Sequence, residues 1–171
     1  MGAFTTPGAG TRRLGRLPGM SADAVGRHMP AVATLDDLTA MIAADPHGHR
    51  YELSPDGVLS IMPPADGEHA LIATRIMAWL LAAGWPVGQI AQAVGLSVPG
   101  AEGATGGRIP DLVVWSQPVA NPRQVWLPVA NVLLVVEIVS RGSEAVDKAA
   151  KPTEYASAGI RCNALCPGTV E

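Results

Sequence analysis

Aromatic residues are scarce in this chain: one Phe, two Tyr and four Trp make up 4% of its 171 residues. That leaves few platforms for stacking unpaired bases, which argues against a sequence-indifferent single-strand binder. Charge is also sparse, at 16%, and its formal balance is -3 at pH 7. Broadly basic nucleic-acid binders carry a positive stripe for phosphate, so any contact with DNA here has to be local and metal-assisted. No apolar run approaches the ~20 residues that span a bilayer. The arginines near the N-terminus are followed by no apolar stretch of the signal-peptide kind, so a cytoplasmic protein without a membrane partner is expected. The only two cysteines, Cys162 and Cys166, have no matching Cys or His pair, which excludes a structural zinc site and fits free thiols. The glycines of Pro99 to Gly107 lack the GxxxxGK(S/T) spacing of a phosphate-binding loop and read as a flexible linker.

What the chain does have is apolar material, 48% hydrophobic, enough for one domain with a real core. Residues 1–30 alternate Gly, Ala, Thr and Pro with Arg12, Arg13 and Arg16, show no helical or strand period, and read as a disordered tail. Residues 31–160 carry the patterned domain, and 161–171 form an atypical C-terminal segment.

The dominant stretch is Leu133-Leu-Val-Val-Glu-Ile-Val-Ser140, whose unbroken apolar run predicts a strand covered on both faces. Glu137 interrupts it. A carboxylate there requires a cation, a hydrogen-bond donor or a metal, or its pKa must rise. A structural ion pair and a functional acid are equally consistent with Glu137 alone. A second segment, Ile109-Pro-Asp-Leu-Val-Val-Trp115, is built the same way, with Asp111 at a strand entrance behind Pro110. Two strands with one carboxylate each can meet at a point, and such an oxygen-rich site suits Mg²⁺.

The remaining elements follow in chain order. Thr34 caps a short helix containing Leu35, Leu38, Met41 and Ile42. His47 and His49 lie in the turn that follows, where solvated histidines are favoured over a metal site. Arg50–Leu53 and Val58–Met62 around Asp56-Gly57 form a hairpin. On its first strand Glu52 is either a third acid or an outward-facing residue, and spacing favours the latter. From Asp66, the residues His69, Ile72, Ile76, Trp79, Leu80 and Ala83 recur at helical spacing and give one face to the core, stopped by Gly84 and Pro86. His69 reads better as a satisfied boundary histidine than as a catalytic or DNA-contacting group. One or two strands are predicted between Trp85 and Val98, a loop from Ser116 to Pro128, and a helix after Ser140 carrying Lys148 and Lys151 and ending at Gly159.

Taken in order, several motifs resemble one family. They are Tyr51-Glu-Leu with Asp56-Gly57, Pro63-Pro64 with His69 heading a long helix, Pro110-Asp111, Val135-Val-Glu137-Ile-Val-Ser140, and Asp147 through Lys151 to Tyr155-Ala-Ser-Ala-Gly-Ile160. Together they resemble the Uma-two family of bacterial restriction endonucleases, a branch of the PD-(D/E)XK nuclease superfamily. The resemblance covers about Thr34 to Ile160. It implies an α/β fold with a restriction-endonuclease-like mixed β-sheet core flanked by helices, a Mg²⁺ cofactor and hydrolysis of DNA phosphodiesters. Carried over by position, Asp111 and Glu137 would hold the metal and Glu52 would be an auxiliary acid. The superfamily lysine lies two residues after the Glu, where this chain has Val139. This branch looks as if it moves the lysine to the following helix, with Lys151 as the best match and Lys148 in reserve.

The end of the chain departs from that pattern. Gly159-Ile-Arg-Cys-Asn-Ala-Leu-Cys-Pro-Gly-Thr-Val-Glu171 resembles a segment of short-chain dehydrogenases that follows their Tyr-x-x-x-Lys. Four residues after Tyr155 comes Gly159 rather than Lys, and no dinucleotide fingerprint opens the chain, so a dehydrogenase is poorly supported. The expectation is a truncated or fused C-terminus that leaves an apolar sheet edge open to self-association, as in a homodimer. Two functional readings remain: a metal-dependent DNA endonuclease, preferred, and a catalytically silent binding domain that keeps the fold.

Overall fold

The computed structural model describes residues 34–62, 64–139 and 149–165. The tail read into residues 1–30, together with Ser140, Asp147, Lys148 and Cys166, lies outside the described residues. The elements are helix α1 (Leu35–Ala44), strands β1 (Arg50–Leu53) and β2 (Leu59–Met62), and helix α2 (Gly67–Ala82). Next come β3 (Ile90–Gln92), β4 (Gly95–Pro99), β5 (Thr105–Arg108), β6 (Leu112–Trp115), β7 (Trp126–Pro128) and β8 (Val132–Ile138), then helix α3 (Lys151–Ser157) and β9 (Arg161–Leu165).

Local chemistry sets the boundaries. Thr34 and Asp37 form a reciprocal capping box at α1, each side chain accepting the other's backbone N–H at 3.1 Å. Asp66 caps α2 by accepting the His69 N–H at 2.9 Å. The β1–β2 hairpin turns at Gly57, whose φ of 83° is one that L side chains rarely adopt.

The strands assemble into two mixed sheets, one ordered β2-β1-β5-β4-β7 and the other β3-β6-β8-β9. Side chains alternate faces along a strand, and this alternation sorts the core into layers. Val113 and Trp115 of β6 and Val135 of β8 point into a cluster with Leu96, Val98 and Leu127 of the other sheet. Leu112, Val114, Val136 and Ile138 point the opposite way, onto Ala73 and Leu80 of α2. Tyr51 and Leu53 of β1 bury against Leu38 of α1. The order is therefore helix, sheet, sheet, helix, and the central β8 run is covered on both faces.

Several expectations need correction. The Pro99–Gly107 stretch is not simply a linker, because Thr105–Arg108 pair with both β1 and β4. Its glycines suit that place: a Cβ on Gly107 would lie 2.8 Å from Leu35 Cδ2 and from the Trp126 ring, so only a bare backbone lets the indole lie across the strand. The Ser116–Pro128 loop likewise ends in β7, paired parallel with β4 from Gly95↔Trp126 to Ser97↔Pro128. Trp79 is 67% exposed, not part of the core face. The buried stripe of α2 is rotated toward Ala73, Met77 and Leu80, which leaves Trp79 on its outer flank. The five residues Arg161–Leu165, read as part of an atypical segment, form β9 and pair in parallel with β8 from Leu134↔Arg161 to Ile138↔Leu165. Among the described residues no helix is long and apolar enough to cross a membrane.

Candidate active site

Alternation also determines which polar side chains meet. With Tyr51 and Leu53 facing α1, Glu52 between them faces the opposite sheet; it is 1% exposed, which overturns the outward-facing reading. Glu137 shares the face of Val135 and so projects from β8 into the same inter-sheet layer, 3% exposed. Into this layer α3 presents Lys151, Glu154 and Tyr155, positions i, i+3 and i+4 on one helical face.

Lys151 Nζ lies 3.1 Å from Glu52 Oε2 and 3.2 Å from Glu137 Oε2. Tyr155 donates its hydroxyl to Glu137 Oε1 at 2.9 Å. Glu52 Oε1 also accepts the Ile109 N–H at 2.9 Å. Arg108, at the end of β5 and 2% exposed, donates from Nη1 to Glu52 Oε2 at 3.3 Å. Its Nε and Nη2 grip both Glu154 oxygens at 2.7 and 2.6 Å.

Asp111 sits at the mouth of β6, one residue before the Leu112↔Val136 pair, beside the part of β8 that carries Glu137. Its Oδ2 accepts the Ile138 N–H at 2.7 Å, and its Oδ1 accepts from His69 Nε2 at 2.7 Å. Arg50 Nη1 is 3.7 Å from Oδ1, and Nη2 donates to the Ile109 carbonyl. The side chains of His69 and Arg50 are 17% and 29% exposed, so the cluster reaches solvent at its Asp111 end, as it does at Glu154.

Transferring an ion out of water costs several kcal/mol, and alternation of sign is what makes such a cluster tolerable. Here the order is Glu154, Arg108, Glu52, Lys151, Glu137, with each charge next to its opposite. The cluster perturbs its members. Burial pushes the Tyr155 phenol well above its ordinary value, and the nearby Glu137 and Glu52 charges push it further. For Arg108 burial opposes the charged form, but the Glu154 hydrogen bonds and the Glu52 charge outweigh it, so its pKa is raised. Away from the cluster, the His47 backbone N–H leads a set of hydrogen bonds that holds the Asp45 carboxyl well below the usual range. His49 pairs with Asp45 at 2.8 Å in that turn. No group of three or more His, Cys, Asp or Glu among the described residues is arranged to hold a metal ion by itself.

Of the residues singled out in the sequence, Glu52, Glu137 and Lys151 are joined directly, Asp111 stands beside Glu137 on the adjoining strand, and Lys148 lies outside the described residues. Sequence reasoning missed Arg108, Arg50 and Glu154 and gave Tyr155 no role. For Arg108 the one available signal was an isolated cation in a glycine-rich stretch two residues before Pro110.

The chain matches the family Uma2, "Putative restriction endonuclease", over residues 35–164. It belongs to that family, and its two mixed sheets with flanking helices are consistent with a restriction-endonuclease-like fold. The match extends through the first four residues of β9. No curated protein matches the chain.

Proposed function

We propose that this protein is a Mg²⁺-dependent DNA endonuclease that hydrolyses phosphodiester bonds at Asp111, Glu137 and Lys151, with Glu52 as auxiliary acid. The observation that carries the reading is the delivery of Lys151, from a helix well after Glu137 in sequence, to 3.2 Å from the Glu137 carboxylate. Mg²⁺ commonly takes one or two protein carboxylates and leaves its other positions to water and phosphate. Asp111 and Glu137, on adjoining strands, fit that donor set. Bound there, the cation would offset phosphate charge and supply a water of lowered pKa.

The chain's own groups do the rest. His69 and the Ile138 N–H fix the two Asp111 oxygens, so the carboxylate is oriented before any ligand arrives. Tyr155 and Lys151 do the same for Glu137. In this reading the Lys151 ammonium would orient the attacking water and stabilise charge building on the phosphoryl oxygens. Phosphate approaches from the Asp111 end, where the Arg50 guanidinium is the nearest partly exposed cation.

The test is nicking of supercoiled plasmid across a Mg²⁺ titration, with Glu137→Gln as the control. Metal-dependent nicking that chelation abolishes and Glu137→Gln lacks is the expected result. Equal background cleavage by both proteins overturns the proposal. Burial of Lys151, 2% exposed, favours a second reading, a domain that holds DNA without cutting it. DNA retention without nicking at any Mg²⁺ concentration selects that reading.

A further inference from the structure

The charged cluster is a circuit that begins and ends on α3. From Glu154 it passes to Arg108 on β5, to Glu52 on β1, back to Lys151 on α3, to Glu137 on β8, and returns to α3 at Tyr155. Arg108 joins the α3 carboxylate to the acid facing Lys151. Its planar fork spends one edge, Nε and Nη2, on Glu154 and its remaining nitrogen on Glu52, a division that a point-charge ammonium cannot reproduce.

We infer that Arg108 is a positioning residue for the nuclease reaction, setting the place of Lys151 by holding Glu52. Glu52 has two oxygens and three neighbours to serve: Arg108, Lys151 and the Ile109 N–H. Remove Arg108 and the Glu52 side of the cluster loses one of its three anchors and can swing away from Lys151, while Glu154 loses the partner that docks it. Lys151 then leaves its position between Glu52 and Glu137. The inference rests on the nuclease reading for its activity arm only, because the position of Lys151 can be read without catalysis.

The experiment is a double-mutant cycle on the full chain with Arg108→Gln, Glu52→Gln and their combination, plus Glu154→Gln and Arg108→Lys. Three quantities are read: plasmid-nicking kcat and KM with Mg²⁺, melting temperature, and the rate at which an amine-reactive ester labels Lys151 in the native protein, followed by peptide mapping. Arg108→Gln is expected to raise Lys151 labelling and lower kcat, each on the order of tenfold, as directly bonded neighbours couple. KM should change by less than about threefold, since the lost interaction acts through Lys151 rather than on bound DNA. In the Glu52→Gln background the same change should add no more than the smaller effect of losing the Glu154 contact. Glu154→Gln, which leaves the Arg108–Glu52 bond, should give the smaller effect, and Arg108→Lys should recover only part of the loss. If Arg108→Gln does not fold, Arg108→Lys carries the same cycle.

Equal effects of Arg108→Gln with and without Glu52, or labelling that follows melting temperature alone across all variants, overturn the inference and make Arg108 a helix-docking residue. A wild-type chain that never nicks, while the labelling cycle still couples through Glu52, sinks the nuclease reading and leaves the positioning of Lys151 by Arg108 in place.

Discussion

The carboxylate of Asp111 accepts the backbone N–H of Ile138 at 2.7 Å, tying the acid of one strand to the residue that follows Glu137 on the next. An amide oxygen can accept the same hydrogen bond but is a poor ligand for a hard cation. Asp111→Asn is therefore expected to fold, less stable by about 1.5–3 kcal/mol because the bonds from His69 and the Ile138 N–H no longer end on a charged group. It should lose Mg²⁺-dependent thermal stabilisation, which for a bound ligand at about 100 times its Kd amounts to about 2.7 kcal/mol. Melting curves with and without Mg²⁺ measure this directly. A variant stabilised by Mg²⁺ as much as the parent removes Asp111 from the metal site.

Lys151→Ala leaves Glu52 and Glu137, 1% and 3% exposed, facing each other without the intervening cation. Breaking a buried pair in this way costs about 3–5 kcal/mol. Urea unfolding of variant and parent tests it. In the nicking assay the same variant should lose at least about a hundredfold in turnover, the scale of a lost transition-state charge partner. Filter binding should show nearly unchanged DNA affinity. Full turnover in Lys151→Ala together with loss in Lys148→Ala would move the role to Lys148.

Tyr155 predicts an alkaline limb. Its folded pKa lies well above the ordinary value, so below about pH 10 neither the folded nor the unfolded phenol ionises and nothing is lost. Above that pH the unfolded chain ionises first, and stability falls by about 1.4 kcal/mol per pH unit until the folded phenol titrates. Tyr51 shifts in the same direction, through burial and its Asp45 hydrogen bond, so the parent should show the combined slope. Tyr155→Phe should lose its share of the slope. At neutral pH it should be less stable by about 1.5–3 kcal/mol, the worth of a hydrogen bond to a charged group. Denaturant midpoints between neutral and strongly alkaline pH decide the matter; a parallel pH dependence in parent and variant counts against it.

Gly107→Ala should destabilise, although replacing a strand glycine often helps. The added methyl would sit 2.8 Å from Leu35 Cδ2 and from the Trp126 ring, and overpacking of this kind costs about 1–3 kcal/mol. Trp79→Gln, on the outer flank of α2, should stay within about 0.5 kcal/mol. A thermal melt of each is enough, and a stabilised Gly107→Ala would mean that the Trp126 ring has room to move.

Long apolar periods were legible in the sequence, and so were the groups that end them. The β8 run, the Thr34 and Asp66 caps and the Asp56-Gly57 turn could be read because each depends on a few adjacent residues. β5 and β7 were not, since Gly106, Gly107 and the three residues of β7 are strand-forming only through what lies across them, chiefly Trp126 against the glycines. Trp79 fits the helical period as well as Leu80 does, and only the direction from which the sheet approaches separates them. Glu52 and Lys151 could be named through family order. Arg108 could not, because its role depends on Glu154, 46 residues away, lying on the same helical face as Lys151.

The helix that supplies the lysine, Lys151–Ser157, has Ala150 at its N-cap and receives no side-chain cap there. Helical stability in proteins comes mostly from tertiary packing, and α3 is held through its charged face by Arg108, Glu52 and Glu137. Those three come from strands of both sheets. On the function proposed above, cleavage would therefore wait on the completed fold: a partly unfolded chain would have its acidic residues but not its lysine held together.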